Sequence, residues 1–551
     1  MKTKTLNILL SVIVVLGMTG FYLSEAFGKD PSQRRLYDTS LFEKGGGEQG
    51  YSVASAHPLA TDIGMDILAR GGNAVDAAIA ISYALGVVEP HGSGIGGGGT
   101  MLVYPADGKE PVIYDYREVS PYSGARSTQG IGIPGFVLGM ETAHNDFGSV
   151  KMADLIDPSI QLARQGHPIT SIDESRIERA AYRMPTADLP NYYPNGVGLK
   201  EGEILKQEEL ARTMEQIQQQ GSDVFYKGAI GREIAGKVDS ITMADLARYR
   251  VEKKKPVRGT FAGYEVLAPP APSGGIMLIQ MLQMAESLQI DKTKDLKADF
   301  VHLTGEIYKR SYRDRLQKIG DPDFVDVPQQ RMTTVDHAEE LAADIPKKKL
   351  SQDLKLKLDS QADQEDHDNT THFVVVDQNG MMVSATNTVS HFFGSGVYVK
   401  GFFLNNQLKN FSLTQKYPNR YEPGKRPYSY TTPSVLVKKG ESVIGIGSAG
   451  GRRIPAMVSQ TLIRHLKYGM PIQEALKAPR SYVKIEDNTV AMEKEFPDSV
   501  RTELSRRGYP ATATSSPLYF GSIQVIKMDL KTGRFEGGAD PRRDGTWSAE
   551  Y

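Results

Sequence analysis

The sequence predicts an α/β (α+β) protein in which sheets are covered by helices. Three stretches read as antiparallel hairpins, and helical stretches alternate with them. At 551 residues the chain is also too long for one ordinary core, so two domains or one large layered domain are expected.

The elements follow in chain order. Lys2 and Lys4 precede an apolar run from Ile8 to Leu16, weaker apolar character continues to Leu23, and Ser24-Glu25-Ala26 supplies small residues. Residues 1–28 therefore read as a secretory signal peptide or an uncleaved N-terminal anchor, with the rest of the chain facing outward. Residues 29–50 are polar, carry Gly45-Gly46-Gly47 and read as a linker. Pro58 to Gly71 has a helical stripe, and Asn73 is placed to cap a second, nearly all-apolar helix from Ala74 to Leu85. Gly94 to Gly99 reads as a turn before a strand at Met101 to Tyr104. The middle reads as mostly helical, with stretches at Glu203–Gln219, Thr242–Tyr249 and Asp299–Arg313. Residues 347–369 alternate in charge and are expected to be solvated and mobile. Hairpins follow at Phe373 to Thr388 around Asn379-Gly380, at Ser434 to Ile446 around Lys439-Gly440, and at Ser522 to Gly538 around Thr532-Gly533. Pro455 to Tyr468 reads as an amphipathic helix between the last two.

Composition narrows the chemistry. Lys+Arg 65 against Asp+Glu 66 gives a formal net charge of -1, so bulk charge signals no nucleic-acid partner. The absence of cysteine excludes disulfides, thiolate catalysis and Cys-type zinc sites. The histidines are scattered without an H-E-x-x-H pair, and no G-x-S-x-G elbow occurs. No metal site and no cofactor is expected. Gly94, Gly96 and Gly99 match G-x-G-x-x-G but lead into a strand. Gly445, Gly447 and Gly450 match it in a strand-to-helix context, without the downstream acidic residue that ribose recognition wants. What remains there is a tight turn, or backbone N–H groups at Gly450 and Gly451 that hold an oxyanion.

The stretch DHDNTTHFVVVDQNG places Thr370 between a charged run and a β-branched run. A threonine there is ordinarily a plain strand residue. If the chain is cut between Asn369 and Thr370, however, Thr370 gains an α-amine with a pKa of about 7.7–8.0. Nucleophile and proton acceptor then sit on one residue. His372, next to the threonines, reads as a structural histidine or a neighbour of such a site.

TTHFVVVDQNG, TNT, FFGSG, LNNQL, KRP and GSAGG resemble, in that order, the γ-glutamyltransferase family of N-terminal nucleophile hydrolases. So do HPLATDIGMDILARGGNAVDAAIAISYALGVVEPHGSGIGGGG and YREVSP upstream, and the resemblance runs from about Ser52 to Trp547. It implies a four-layer αββα sandwich and self-cleavage between Asn369 and Thr370. A large subunit of residues 51–369 and a small catalytic subunit of residues 370–551 would stay associated. It also implies Thr370 as nucleophile, Thr388 as the supporting threonine, Gly450 and Gly451 as the oxyanion hole, and Arg117 as partner of the glutamyl α-carboxylate. Gln407 lies in the matching substrate motif.

Three positions depart from the glutathione-type pattern. Asn410 stands where an aspartate binds the substrate amino group, Ser429 and Tyr430 replace paired serines, and Ser390 replaces an asparagine. A substrate whose glutamyl nitrogen is already acylated has no ammonium for that aspartate to hold. GFFLNNQLKNF, YEPGKRP, GRRIP and RRDGTW are similar to the branch of the family that depolymerises poly-γ-glutamate. Arg453, Arg542 and Arg543 are then expected to face a polyanion. The implied partners are poly-γ-glutamate or a γ-glutamyl peptide, with water or an amine, such as a cell-wall peptide, as acceptor. A conventional glutathione-type enzyme and an inactive wall-associated scaffold are the rival readings.

Overall fold

The strand Thr371–Val376, buried at all six positions, lies inside the larger of the two main sheets. A computed structural model describes residues 50–351, 354, 356–365, 369–514 and 516–551. The expected leader and, apart from Gly50, the linker lie outside the described residues. Among the described residues no helix is long and apolar enough to cross a membrane.

The first sheet has seven strands. Their order is Thr546–Glu550, Tyr51–Ser55, Thr371–Val376, Met382–Thr388, Gly98–Tyr104, Val112–Asp115, Glu252–Lys254. The second has six: Phe535–Ala539, Ser522–Asp529, Ser442–Ala449, Ser434–Lys438, Tyr264–Ala268, Val257–Phe261. Pairing is antiparallel throughout both. The sheets pack face to face. Val374, Val376 and Met382 from one meet Val443, Ile526 and Met528 from the other in a single apolar cluster. Pro58–Ala69 and Ala74–Val88 cover the outer face of the first sheet, and Gly275–Ser287 and Ile454–Leu466 cover that of the second. This is the four-layer αββα sandwich.

Strand alternation explains the internal chemistry. Residues 372, 374 and 376 face the second sheet, and the close approach there uses glycine. A Cβ at Gly447 would lie 2.3 Å from the His372 ring, and one at Gly445 would lie 2.6 Å from Val374. Two glycines of the nucleotide-like pattern therefore serve sheet packing.

Strands from both sides of Thr370 are interleaved in each sheet. Tyr51–Ser55 is held between Thr546–Glu550 and Thr371–Val376, and Tyr264–Ala268 pairs with Ser434–Lys438. Cutting the chain at Thr370 removes no ladder bond between them.

Two expectations change. The hairpin Val257–Phe261 and Tyr264–Ala268, turning at Ala262-Gly263, lies in the middle that reads as helical. The charged stretch 347–369 is not uniformly solvated. Leu350, Asp359 and Ser360 are buried, and the short helix Gln361–Glu365 buries Ala362 and Asp363. Aliphatic and capping groups dispersed through a charged stretch find tertiary partners that its composition does not display.

Candidate active site

The site is set by a turn ten residues away. Asp377 Oδ1 accepts the N–H groups of Asn379 at 2.9 Å and Met381 at 3.0 Å, and Gly380 takes φ 83°. That turn fixes the register in which Thr371 faces Asn387. One step beyond, Thr370 and Thr388 stand opposite each other with Oγ1 atoms 3.0 Å apart. Thr388 Oγ1 also accepts the Ser390 N–H at 2.9 Å, which holds its rotamer.

The link between Asn369 and Thr370 is clamped at several atoms. Asn369 Nδ2 donates to the carbonyls of His91 at 2.6 Å and His391 at 3.0 Å. The Asn369 carbonyl accepts the N–H of Gly450 at 3.1 Å. Arg543 Nη1 donates to the Thr370 carbonyl at 3.3 Å. Thr370 itself has φ 105°, a sparsely populated region for a β-branched residue and therefore a strained one.

Gly450 ends the strand Ser442–Ala449 with φ 126°, and Gly451 follows with φ 56° before the helix Ile454–Leu466. The reversal aims the Gly450 N–H back across the sheet edge at residue 369. A side chain at 450 would be strained by this φ and would meet Gly521 Cα at 3.1 Å.

Thr370 and Thr388 open into a pocket. Ser390, Gln407, Asn410, Ser429, Tyr430 and Gly451 line it, so most of the expected site residues converge. Gln407 Nε2 is buried without a hydrogen-bond partner, a donor available to a ligand. Ser429 Oγ lies 3.3 Å from Thr431 Oγ1. Tyr430 donates its hydroxyl to Asp363 Oδ2 at 3.1 Å.

The expected arginines do not form a row. Arg117 is fully buried, with Nε and Nη2 on Asp115 at 3.0 and 2.9 Å. Its Nη1 donates to Pro272 O, which also accepts the Ser429 N–H, so Arg117 stands one hydrogen bond behind the pocket wall. Arg453 is fully buried against the Tyr519 ring, 3.9 Å from its centroid. Arg542 is bound by Glu493, Asp540 and two carbonyls. Arg543 is at the site, but on backbone. Desolvation is the reason: a buried guanidinium takes up internal acceptors.

Sequence reasoning missed Arg452, Ala362 and Asp363, which also line the pocket. Arg452 was signalled by its adjacency to Gly451 and its place in GRRIP. His372 is structural. It is fully buried, bonded through Nδ1 to Thr386 Oγ1 at 2.9 Å, and burial lowers its pKa to about 3. Glu89 and Glu118 are buried carboxyls, pushed up to about 7 and about 8 by desolvation.

Known proteins resemble the chain along most of its length. A family profile described as Gamma-glutamyltranspeptidase matches residues 60–550. The chain is 39% identical over 543 residues to the capsule biosynthesis protein CapD proenzyme of Bacillus anthracis, with 98% of both chains covered. It is 36% identical over 579 residues to the glutathione hydrolase proenzyme of Bacillus subtilis (strain 168), covering 98% of this chain and 97% of that one. The crystal structure of cephalosporin acylase from Bacillus halodurans superposes with a TM-score of 0.82 at 27% identity, covering 95% of this chain and 99% of that one. The chain belongs to the γ-glutamyltranspeptidase family of N-terminal nucleophile hydrolases.

Proposed function

We propose that the chain is a precursor that cuts itself between Asn369 and Thr370 and then cleaves γ-glutamyl amide bonds, with poly-γ-glutamate as its substrate class. One observation carries the reading: the Gly450 N–H already donates to the carbonyl of Asn369, beside a Thr370 hydroxyl paired with Thr388. In the first reaction Thr370 Oγ bonds to the Asn369 carbonyl carbon. The Asn369–Thr370 C–N bond then breaks as its nitrogen takes up the proton that the hydroxyl gave up. Water hydrolyses the resulting ester, leaving a carboxylate on Asn369 and an α-amine on Thr370.

In turnover that amine accepts the proton of its own hydroxyl as Oγ attacks a substrate γ-carbonyl. The leaving amine departs with a proton, and the Thr370 ester is resolved by water or by a second amine. Backbone N–H groups at Gly450 and Gly451 stabilise the oxyanion in both reactions. The interleaved sheets keep residues 51–369 and 370–551 together afterwards.

The word proenzyme in the names of both relatives supports the precursor reading. The polymer reading rests on Asn410, Ser429 and Tyr430, on the resemblance to the depolymerising branch, and on the CapD relative. The glutathione hydrolase relative favours the second reading, hydrolysis of small γ-glutamyl compounds. Lys2, Lys4 and the apolar run from Ile8 support action outside the cell.

The test is to express the wild type and Thr370→Ala, run denaturing gels, sequence the fragments, and incubate with poly-γ-glutamate and with glutathione. Wild type should yield a fragment beginning Thr-Thr-His-Phe and shorten the polymer, while Thr370→Ala stays whole and inert. An active enzyme that remains one chain overturns the mechanism. Turnover of glutathione with no shortening of the polymer overturns the substrate assignment alone.

A further inference from the structure

The side chain of Asn369 is held by two carbonyls, and one helix far upstream supports both of them. Asn369 is fully buried, and its Nδ2 donates to His91 O at 2.6 Å and His391 O at 3.0 Å. Its Oδ1 has no hydrogen-bond partner, so among the described residues these two bonds alone fix the amide. The helix Ser171–Ala180 supports the first carbonyl through the His91 ring. Arg176 Nη1 donates to His91 Nδ1 at 2.9 Å, and His91 Nε2 donates to Asp173 Oδ1 at 3.0 Å. Burial first, and the Arg176 charge second, lower the His91 pKa to about 4, so the ring is neutral and these partners select its tautomer. Asp173 is fixed in turn. Its Oδ2 accepts the N–H and the hydroxyl of Thr170 at 2.9 and 3.0 Å, in the capping box of the helix.

Just past the helix, Arg183 supports the second carbonyl. Its Nη2 donates to His391 Nδ1 at 2.9 Å and to Phe392 O, and its Nη1 donates to Gly394 O at 2.7 Å. The guanidinium carbons of Arg176 and Arg179 lie 5.0 and 5.3 Å from the centroid of the Phe392 ring. The two segments that bear the carbonyls are also tied together. The Phe393 N–H donates to His91 O at 3.1 Å, and the Val389 N–H donates to Gly92 O at 3.2 Å. Arg176 is 1% exposed, spends Nη1 on a neutral ring and leaves Nη2 without a hydrogen-bond partner. Burying a guanidinium that way costs stability, so folding alone gives no reason for it. None of Asp173, Arg176 and Arg183 lines the Thr370 pocket. What they bear on is the link between Asn369 and Thr370.

We propose that Asp173, Arg176 and Arg183 are positioning residues for the self-cleavage, holding His91 and His391 so that their carbonyls present Asn369 to Thr370. This deepens the proposed function and rests on its first reaction. For Thr370 Oγ1 to bond to the Asn369 carbonyl carbon, that carbonyl must stay on the Gly450 N–H while Thr370 keeps φ 105°. Anchoring the Asn369 side chain removes the rotation that would carry the carbonyl away, and correct placement of reacting atoms is worth a large factor in rate. Once the link is cut the anchor has no further task, because a substrate brings its own carbonyl. The three residues therefore act on maturation and leave turnover alone.

The experiment times self-cleavage of the full chain on denaturing gels after cell-free synthesis, for wild type, Arg176→Gln, Arg183→Gln, Asn369→Ala and the doubles. Each single variant should be cut roughly ten- to a hundredfold more slowly, the range that a small misplacement costs. Arg176→Gln combined with Asn369→Ala should be at most about threefold slower than the slower of the two alone, because both changes remove the same anchor. The fraction that has matured should turn over γ-glutamyl-p-nitroanilide with kcat and KM within about twofold of wild type. A merely structural defect behaves otherwise: its slowing multiplies with that of Asn369→Ala, or kcat falls with it, and either result overturns the assignment. Wild-type cleavage rates in both arginine variants, or in Asn369→Ala, overturn it as well. Arg183 is only half-buried, so its variant carries the test if Arg176→Gln fails to fold. Wild type that is never cut before Thr370 sinks the proposed function itself, an outcome distinct from all of these.

Discussion

The chain changes character across a single peptide link. Downstream of it, Thr371–Val376 is a fully buried strand paired on both edges and packed on both faces. Upstream, Gln361–Glu365 is a five-residue helix secured by polar contacts: Asp363 to two tyrosines and Arg315, and Glu365 to Lys409. The downstream side is held by ladder bonds and apolar area, which a cut does not touch. The upstream side is held by a few polar pairings. If the proposed cut is made, it falls between these two kinds of support and leaves the sheet scaffold intact.

The largest expected effect comes from the point where the two regions touch. Gly450→Val places a β-branched side chain at φ 126°, against Gly521 Cα, and shifts the N–H that holds Asn369. Loss of one oxyanion donor costs about 10²–10³ in rate. Self-cleavage timed on denaturing gels should slow by that factor, and the circular dichroism of the fold should stay intact. Unchanged cleavage would remove Gly450 from the mechanism.

The next contrast is energetic. Val374→Ala deletes two methyl groups from the cluster between the sheets. In the uncut Thr370→Ala background, where the chain is single, it should lower unfolding stability by about 1–3 kcal/mol in urea titrations. A loss below about 0.5 kcal/mol would mean that the inter-sheet core is not what anchors the downstream side.

That same asymmetry governed what could be read in advance. The strand after Thr370 announces itself through Val374 to Val376 and the Asn379-Gly380 turn, because burial and turn chemistry are local in sequence. The pairing of Thr370 with Thr388 was reached through the motif resemblance, and register explains it in physical terms; Gly450 and Gly451 were first read from their strand-to-helix context, as a tight turn or as oxyanion donors, and the resemblance favoured the second. Asp363 and Arg315 were invisible. They lie 48 positions apart, as 315 and 363, one just past a stretch that reads as a helix and the other in a stretch that reads as solvated. Nothing in either pattern records that tertiary folding brings them together. The arginines failed for the opposite reason: motif position shows where Arg453 and Arg542 lie along the chain, and only the packed structure shows that Tyr519 and Glu493 already hold them.

A pH series sharpens the core side further. His372 is neutral in the fold, with its pKa lowered from 6.5 to about 3 by burial, so the unfolded chain binds the extra proton first. Its contribution is fully present above about pH 6.5 and is lost as pH falls toward 3. His57, His91 and His167, lowered by burial to about 3, about 4 and about 4, act in the same sense. Glu89 and Glu118, raised by burial, act in the opposite sense. Subtracting the profile of His372→Gln from that of its parent isolates one residue. The urea midpoint of the variant should fall less steeply between about pH 6.5 and 4, and parallel slopes would contradict a neutral buried imidazole.

The smallest effect belongs to the upstream surface. Lys409 Nζ and Glu365 Oε1 are 3.1 Å apart, with side chains 22% and 29% exposed. A pair in that setting contributes about 0–1 kcal/mol, and salt screens it. Glu365→Ala in the uncut background should therefore move the urea midpoint far less than Val374→Ala, and raising the salt should erase the difference. A loss as large as that of Val374→Ala would mean that the upstream helix carries part of the core, and the division of labour across the Asn369–Thr370 link would have to be redrawn.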